Sequence, residues 1–194
     1  MLEMDNLKKD WKTAHREKGY INAEGQVVTS TKFIEDGAIC ESKWFKLPKE
    51  KRILFIAREA RNDDGKKFWL RDIADGINNP NDINYRKYLR YIGHIYDCLL
   101  NQNGKVNTIN PEKDDDSYKE MLKNIAYMNL NKLGGVEARM GKESIKFLDD
   151  YVERYSEFIL REIDILNPEY IVCLGKFKKW TGEYVEYCLK EKEY

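Results

Sequence analysis

The chain has 194 residues, 42% hydrophobic and 35% charged, enough for one domain with its own core and too few for two of ordinary size. Basic and acidic residues number 34 each, so any surface for nucleic acid must be a local patch instead of the overall basic excess usual in such proteins. The four cysteines (Cys40, Cys98, Cys173, Cys188) form no C-x-x-C pair, and His15 and His94 are the only histidines. That composition argues against a zinc or iron–sulfur centre, a disulfide framework or a histidine-rich metal site; two of the cysteines fall in apolar patterns where a thiol acts as a small hydrophobe. Neither a metal nor another cofactor is expected. No apolar run approaches the ~20 residues of a membrane span, and the amino terminus lacks a signal-peptide core. A soluble cytoplasmic protein is the expectation.

In chain order, Leu7, Trp11 and Ala14 recur on one side of residues 4–18, predicting a helix that Gly19 stops. Tyr20 to Ser30 carries a hairpin signal at Glu24-Gly25, and Phe33 to Trp44 is irregular, with Trp44, Phe45 and Leu47 as apolar anchors. Residues 1–48 read as a helical and irregular extension packed on a single α/β domain, 1–194. Arg52 to Ala57, R-I-L-F-I-A, is an apolar run bounded by charge, as in a central parallel strand. It turns polar at once through Arg58, Glu59, Arg61 and Asn62, with Phe68, Trp69 and Leu70 close behind. After a loop at Asn78 to Asn81, the apolar spacing of Tyr85, Tyr88, Leu89, Ile92, Ile95, Tyr96 and Leu99 predicts a helix over 84–101. His94 falls on its less apolar side. The acidic run Asp114 to Asp116 reads as a solvated loop and helix start.

Ile125 to Met128 is a second buried strand, stopped at Asn129; Asn131, Lys132, Gly134 and Gly135 are expected in the loop beyond it. Steps of three and four from Ile145 through Leu148, Val152, Tyr155, Ile159 and Ile163 to Leu166 predict a helix over 143–166, closed by Asn167-Pro168. Tyr170 to Leu174 reads as a third buried strand with an exit at Gly175-Lys176, and a last helix over 176–190 turns Phe177, Trp180, Tyr184 and Cys188 inward. The alternation of strands and helices predicts an α/β fold: three layers, α/β/α, around a central, mainly parallel sheet. Ligands of such sheets sit beyond the carboxyl ends of the strands. Three polar strand ends would therefore meet at one rim: Arg58 to Asn62, Asn129 to Lys132, and Gly175-Lys176.

These segments resemble the uracil-DNA glycosylase superfamily over about residues 50–180. There the first strand leads into a motif such as G-Q-D-P-Y-H, and Ala57 to Asn62, A-R-E-A-R-N, falls in its place, with Glu59 at the water-orienting acid. The superfamily's T-N-x-x-K is matched by Asn129 and Lys132 of M-N-L-N-K. Leu166 to Gly175, L-N-P-E-Y-I-V-C-L-G, is similar throughout to L-x-P-x-x-I-V-x-L-G. The likeness extends to an uncharacterised bacterial branch carrying I-L-F-x-x-x-E-x-N after the first strand, set against Ile53 to Asn62 with the Asn one position later here, and N-L-x-K-x-x-G after the second, as in Asn129 to Gly135. Departures are Ala57 and Ala60 for the motif's Gly and Pro, and no counterpart of the closing H-P-S, since no histidine follows His94.

The resemblance implies a base-excision glycosylase cleaving the N-glycosidic bond of a flipped base, with DNA or a nucleotide as partner. Glu59 would be the catalytic carboxylate and Asn129 the reader of the base edge. Phe68 or Trp69 would stack on the base, and Lys132 or Arg61 would hold a phosphate, with Arg58, Asn62 and Gly175 completing the pocket. Plainer readings stand beside these. Glu59 can pair with Arg58, Arg61 or Lys132; Asn129 can cap the next segment with Lys132 solvated; Phe68 and Trp69 can be core. A non-catalytic module binding a base, nucleotide or DNA, and an interaction protein reusing the fold, are the alternatives at the level of function.

Overall fold

A computed structural model describes residues 2–21, 25–29, 33–59, 69–76, 83–100, 117–133 and 142–174; for residues 59, 69, 83–87 and 142–147 the backbone alone is described. In chain order these form α1 (Leu2–Lys18), β1 (Tyr20–Ile21), β2 (Val27–Val28), β3 (Gly37–Ala38), α2 (Glu41–Trp44), a 3-10 turn (Lys49–Lys51), β4 (Ile53–Glu59), α3 (Trp69–Ala74), α4 (Ile83–Leu100), α5 (Ser117–Lys123), β5 (Ile125–Asn131), α6 (Lys142–Leu166) and β6 (Tyr170–Cys173).

Apolar steps of three and four build α1, which buries Met4, Leu7, Trp11 and Ala14. Gly19, at φ 58, ends it. The chain then enters a short antiparallel hairpin, Tyr20 opposite Val28 and Ile21 opposite Val27. The main sheet runs β3-β5-β4-β6. β4 lies between β5 and β6, parallel to both, and β3 pairs antiparallel with the far side of β5.

Because successive strand residues face opposite ways, β4 and β5 feed two separate apolar clusters. Leu54, Ile56, Ala126, Met128 and Leu130 pack with α1 and α6, against Leu7, Trp11, Tyr151, Tyr155 and Ile159. Ile53, Phe55, Ala57, Ile125 and Tyr127 pack with α3, α4 and α5, against Leu70, Ile73, Leu89, Ile92 and Met121. A strand with apolar neighbours on both faces cannot alternate with polar residues, which explains the continuous run of Ile53 to Ala57.

The long helix α6 is broken at Tyr155 (φ −116, ψ 16). There the Tyr155 hydroxyl donates to the Gly19 carbonyl at 2.6 Å, and Arg154 donates to the Lys18 carbonyl at 3.1 Å. Both satisfy carbonyls left without an intrahelical partner where α1 ends.

Three expectations need correction. β5 continues to Asn131 and all seven of its residues are buried, where a loop was expected from Asn129; the buried polar side chains find partners described below. The irregular stretch Phe33 to Trp44 contributes β3, too short to carry a periodic signal. β6 is half-buried with Cys173 exposed, not a buried strand, since among the described strands it has β4 alone as neighbour. Cys98 is likewise exposed and Cys40 half-buried. His94 is half-buried. The expected helix over 176–190, Gly175, and the loops at 78–81 and 103–116 lie outside the described residues. Among the described helices, none is long and apolar enough to cross a membrane.

Gly19 and Gly25 both hold positive φ, 58 and 77, but a Cβ on Gly19 would lie 2.5 Å from the Val28 carbonyl oxygen while one on Gly25 meets nothing within 4 Å. Gly25→Ala should cost about 1–2 kcal/mol, the left-handed backbone term alone. Gly19→Ala should cost clearly more, because the hairpin must also move off the end of α1. Urea midpoints of the two variants measure the difference, and equal losses would contradict it.

Candidate functional site at the carboxyl rim of the sheet

Parallel pairing sets Ala57 opposite Asn129 and Glu59 opposite Asn131. The A-R-E and N-L-N segments thus end side by side at one rim. Strand alternation continues the face of Ile53, Phe55, Ile125 and Tyr127 into Ala57 and Asn129.

Asn129 is 3% exposed. Its Nδ2 and its own backbone N–H both donate to Asp36 Oδ2, at 2.8 and 2.7 Å. A carboxylate only accepts, so this contact fixes the amide with its NH2 toward Asp36 and its Oδ1 turned away. The other Asp36 oxygen accepts from the Lys132 ammonium. Glu162 Oε2 lies 2.7 Å from the same nitrogen, and the Trp11 ring covers it at 5.1 Å. Lys132 is 1% exposed.

Burial by itself would pull the Lys132 ammonium down, but the two carboxylates outweigh it and hold the group above the usual 10.5. Glu162 is pushed above the usual carboxylate range, first by burial, with Lys132 opposing. The second carboxylate, Asp36, adds a smaller upward push as a nearby like charge.

Backbone contacts lock the cluster in place. Ile34 N–H donates to the Lys132 carbonyl at 2.8 Å, pinning the segment that carries Asp36 along the end of β5. Lys132 N–H donates to the Tyr151 hydroxyl at 3.3 Å, and that hydroxyl pairs with His15 Nε2 at 2.7 Å. Burial pushes the Tyr151 phenol well above its ordinary value. Asn131 Oδ1 accepts from Leu133 N–H at 2.8 Å, an Asx turn that ends the strand. Toward α4, the Tyr127 hydroxyl meets that of Tyr88 at 2.5 Å. Burial raises both, Tyr88 to about 12, so both are neutral phenols near pH 7.

Of the expected site residues, Asn129 and Lys132 come together through Asp36. Lys132 is enclosed by carboxylates and does not stand solvated in a loop. Arg58 is half-buried beside them in β4. Glu59 reaches the rim by its backbone register, and Trp69 opens α3. Arg61, Asn62, Phe68 and Gly175 lie outside the described residues, as do Gly134 and Gly135. Sequence reasoning missed Asp36, Glu162, His15 and Tyr151. Glu162 had a signal: it falls on the stripe Tyr155, Ile159, Glu162, Leu166, a carboxylate at an apolar position. Asp36, in an irregular segment, had none. Among the described residues no group of acidic, histidine and cysteine side chains could hold a metal ion.

Comparison of the chain with protein-family models, with curated proteins and with solved structures finds no match.

Lys132→Met should cost about 3–5 kcal/mol at neutral pH, because two buried carboxylates lose their counter-charge. The folded-state pKa of Lys132 is raised, so the stability it contributes is fully present below 10.5 and is lost as pH rises through the higher folded value. Wild-type urea midpoints should therefore fall above the usual lysine range, and Lys132→Met should lack that alkaline limb. Identical alkaline profiles would refute the assignment.

Proposed function

We propose that the chain is a uracil-DNA glycosylase-like protein of three-layer α/β/α architecture. It takes a flipped base at the rim of β4 and β5 and cleaves its N-glycosidic bond. The observation that carries this reading is the register of Ala57 with Asn129 and of Glu59 with Asn131. It makes neighbours of two segments 72 positions apart whose residue types suit base handling: a carboxylate to orient water and a carboxamide to meet a pairing edge. The separate apolar clusters on alternate strand residues support the three layers.

Asn129 Oδ1, turned away from Asp36, would accept from an N–H of the base. Glu59 would hold the attacking water or steady the cationic sugar. Phe68 or Trp69 would stack on the ring, Arg61 would take a phosphate, and Arg58, Asn62 and Gly175 would line the pocket. Lys132 acts one step back, by pairing with Asp36 and so holding Asn129.

A second reading keeps the pocket without the chemistry, as a module that binds a base, nucleotide or DNA. The observation favouring it is that residues 95–194 contain no histidine to stabilise a departing base.

Incubation with single- and double-stranded oligonucleotides containing uracil, hypoxanthine or alkylated bases, followed by cleavage at abasic sites, separates the two. Excision should occur on at least one substrate. It should drop by about 10²-fold or more in Glu59→Gln, the range expected for loss of a positioned acid–base group. Lack of turnover on every substrate, with binding retained, would leave the second reading.

A further inference from the structure

The outer side of α1 carries a cleft of about 330 Å³ lined by Asp5, Lys8, Lys9, Lys12, Arg16 and Glu35, with Thr13. Four cations face two carboxylates there, in a protein whose formal net charge is zero. The helix dipole accounts for acidic residues in the first turn of α1 and for Arg16 and Lys18 in the last. It gives no reason for Lys8, Lys9 and Lys12 in the middle turns. Lys8, Lys12 and Arg16 are four residues apart, so their Cα atoms follow one another at about 6 Å along one side of the helix.

Lys12 meets Glu35 across a surface where both side chains are at least one-third exposed. An exposed pair of this kind contributes about 0–1 kcal/mol and yields readily to a stronger anion. Lys8 lies 3.6 Å from Glu41, with both side chains largely covered. Among the described residues, neither Lys9 nor Arg16 has a carboxylate at salt-bridge distance, and both side chains are exposed.

The cleft adjoins the rim through the chain itself. Lys12 follows Trp11, whose ring covers Lys132, and Glu35 precedes Asp36, which holds Asn129. One wall of the cleft is thus the outer side of the segment whose inner side positions the candidate base reader.

We propose that this α1 cleft binds the sugar–phosphate backbone of a nucleic-acid strand whose base is handled at the rim of β4 and β5. Lys9 and Arg16 are its principal contacts, and Lys12 is recruited from its surface pair with Glu35. The ligand class rests on the function proposed above; the basic cleft itself does not. Contacts of this kind carry affinity and salt dependence without base preference.

The test is fluorescence anisotropy of the full chain with labelled single-stranded and duplex oligonucleotides over a series of salt concentrations. The variants are Lys9→Gln/Arg16→Gln, Lys9→Arg/Arg16→Lys and Asn129→Ala. Loss of two phosphate contacts should weaken binding roughly tenfold at moderate salt and flatten the slope of log affinity against log salt by about 1.4–1.8. The charge-conserving variant should keep both. Asn129→Ala should leave the slope unchanged.

An unchanged slope in the glutamine variant, with Asn129→Ala abolishing base-dependent binding, overturns the cleft and spares the rim. The flattened slope with no effect of any rim variant on binding or excision upholds the cleft and overturns the rim. Tighter, Lys9- and Arg16-dependent binding to phosphatidylserine vesicles than to either oligonucleotide would assign the cleft to a membrane surface instead.

Discussion

The Lys132 ammonium, held between Asp36 and Glu162 under the Trp11 ring, ties together four parts of the chain that no local signal connects. Trp11 comes from α1, Asp36 from the segment before β3, Lys132 from just past β5, and Glu162 from α6. An ammonium in this position cannot be left without counter-charge, and neither carboxylate can be left without the ammonium. The cluster is therefore satisfied as a whole or not at all. That condition sets how α1 and α6 approach the sheet and keeps the Asp36 segment against the end of β5. A buried ion cluster is a weak source of net stability compared with apolar packing of the same volume. Its consequence here is positional: Asp36 cannot turn to solvent, so Asn129 is presented in one orientation.

A rigid rim and an adaptable surface sit back to back in this arrangement. On the inner side, Asn129, Asp36 and Lys132 are all but fully buried, where removal of water strengthens each contact and makes an unpaired group costly. On the outer side, Lys12, next to Trp11, and Glu35, next to Asp36, form an exposed pair that solvent and salt weaken. A ligand spanning both would be positioned by the first and attracted by the second. Overall neutrality is compatible with this division, since a local patch needs no excess of charge elsewhere.

The tyrosines show how the framework is kept in register. Tyr155 breaks its own helix to reach the end of α1, and Tyr151, one turn earlier, meets His15 and the backbone of Lys132. Two hydroxyls on one stretch of α6 thus bind both the helix and the strand it packs between. In each case a phenol serves because its ring fills apolar space while its oxygen serves a polar partner.

Much of this was legible in the amino-acid order, because it depends on periodicity. The helices α1, α4 and α6 and the strands β4 and β5 all announce themselves by apolar spacing, and parallel strands buried on both faces follow from unbroken apolar runs such as Ile53 to Ala57. The nearness of Glu59 and Asn129 follows from that topology. What only tertiary structure decided was the state of the polar residues. Whether Lys132 is solvated or enclosed depends on Asp36, 96 positions before it, and on Glu162, in α6, and no pattern within a window of residues carries such a pairing. Asn129 and Asn131 looked like the start of a loop because polar side chains usually leave a strand. They remain buried in β5 because partners distant along the chain, or in the turn beyond, satisfy them.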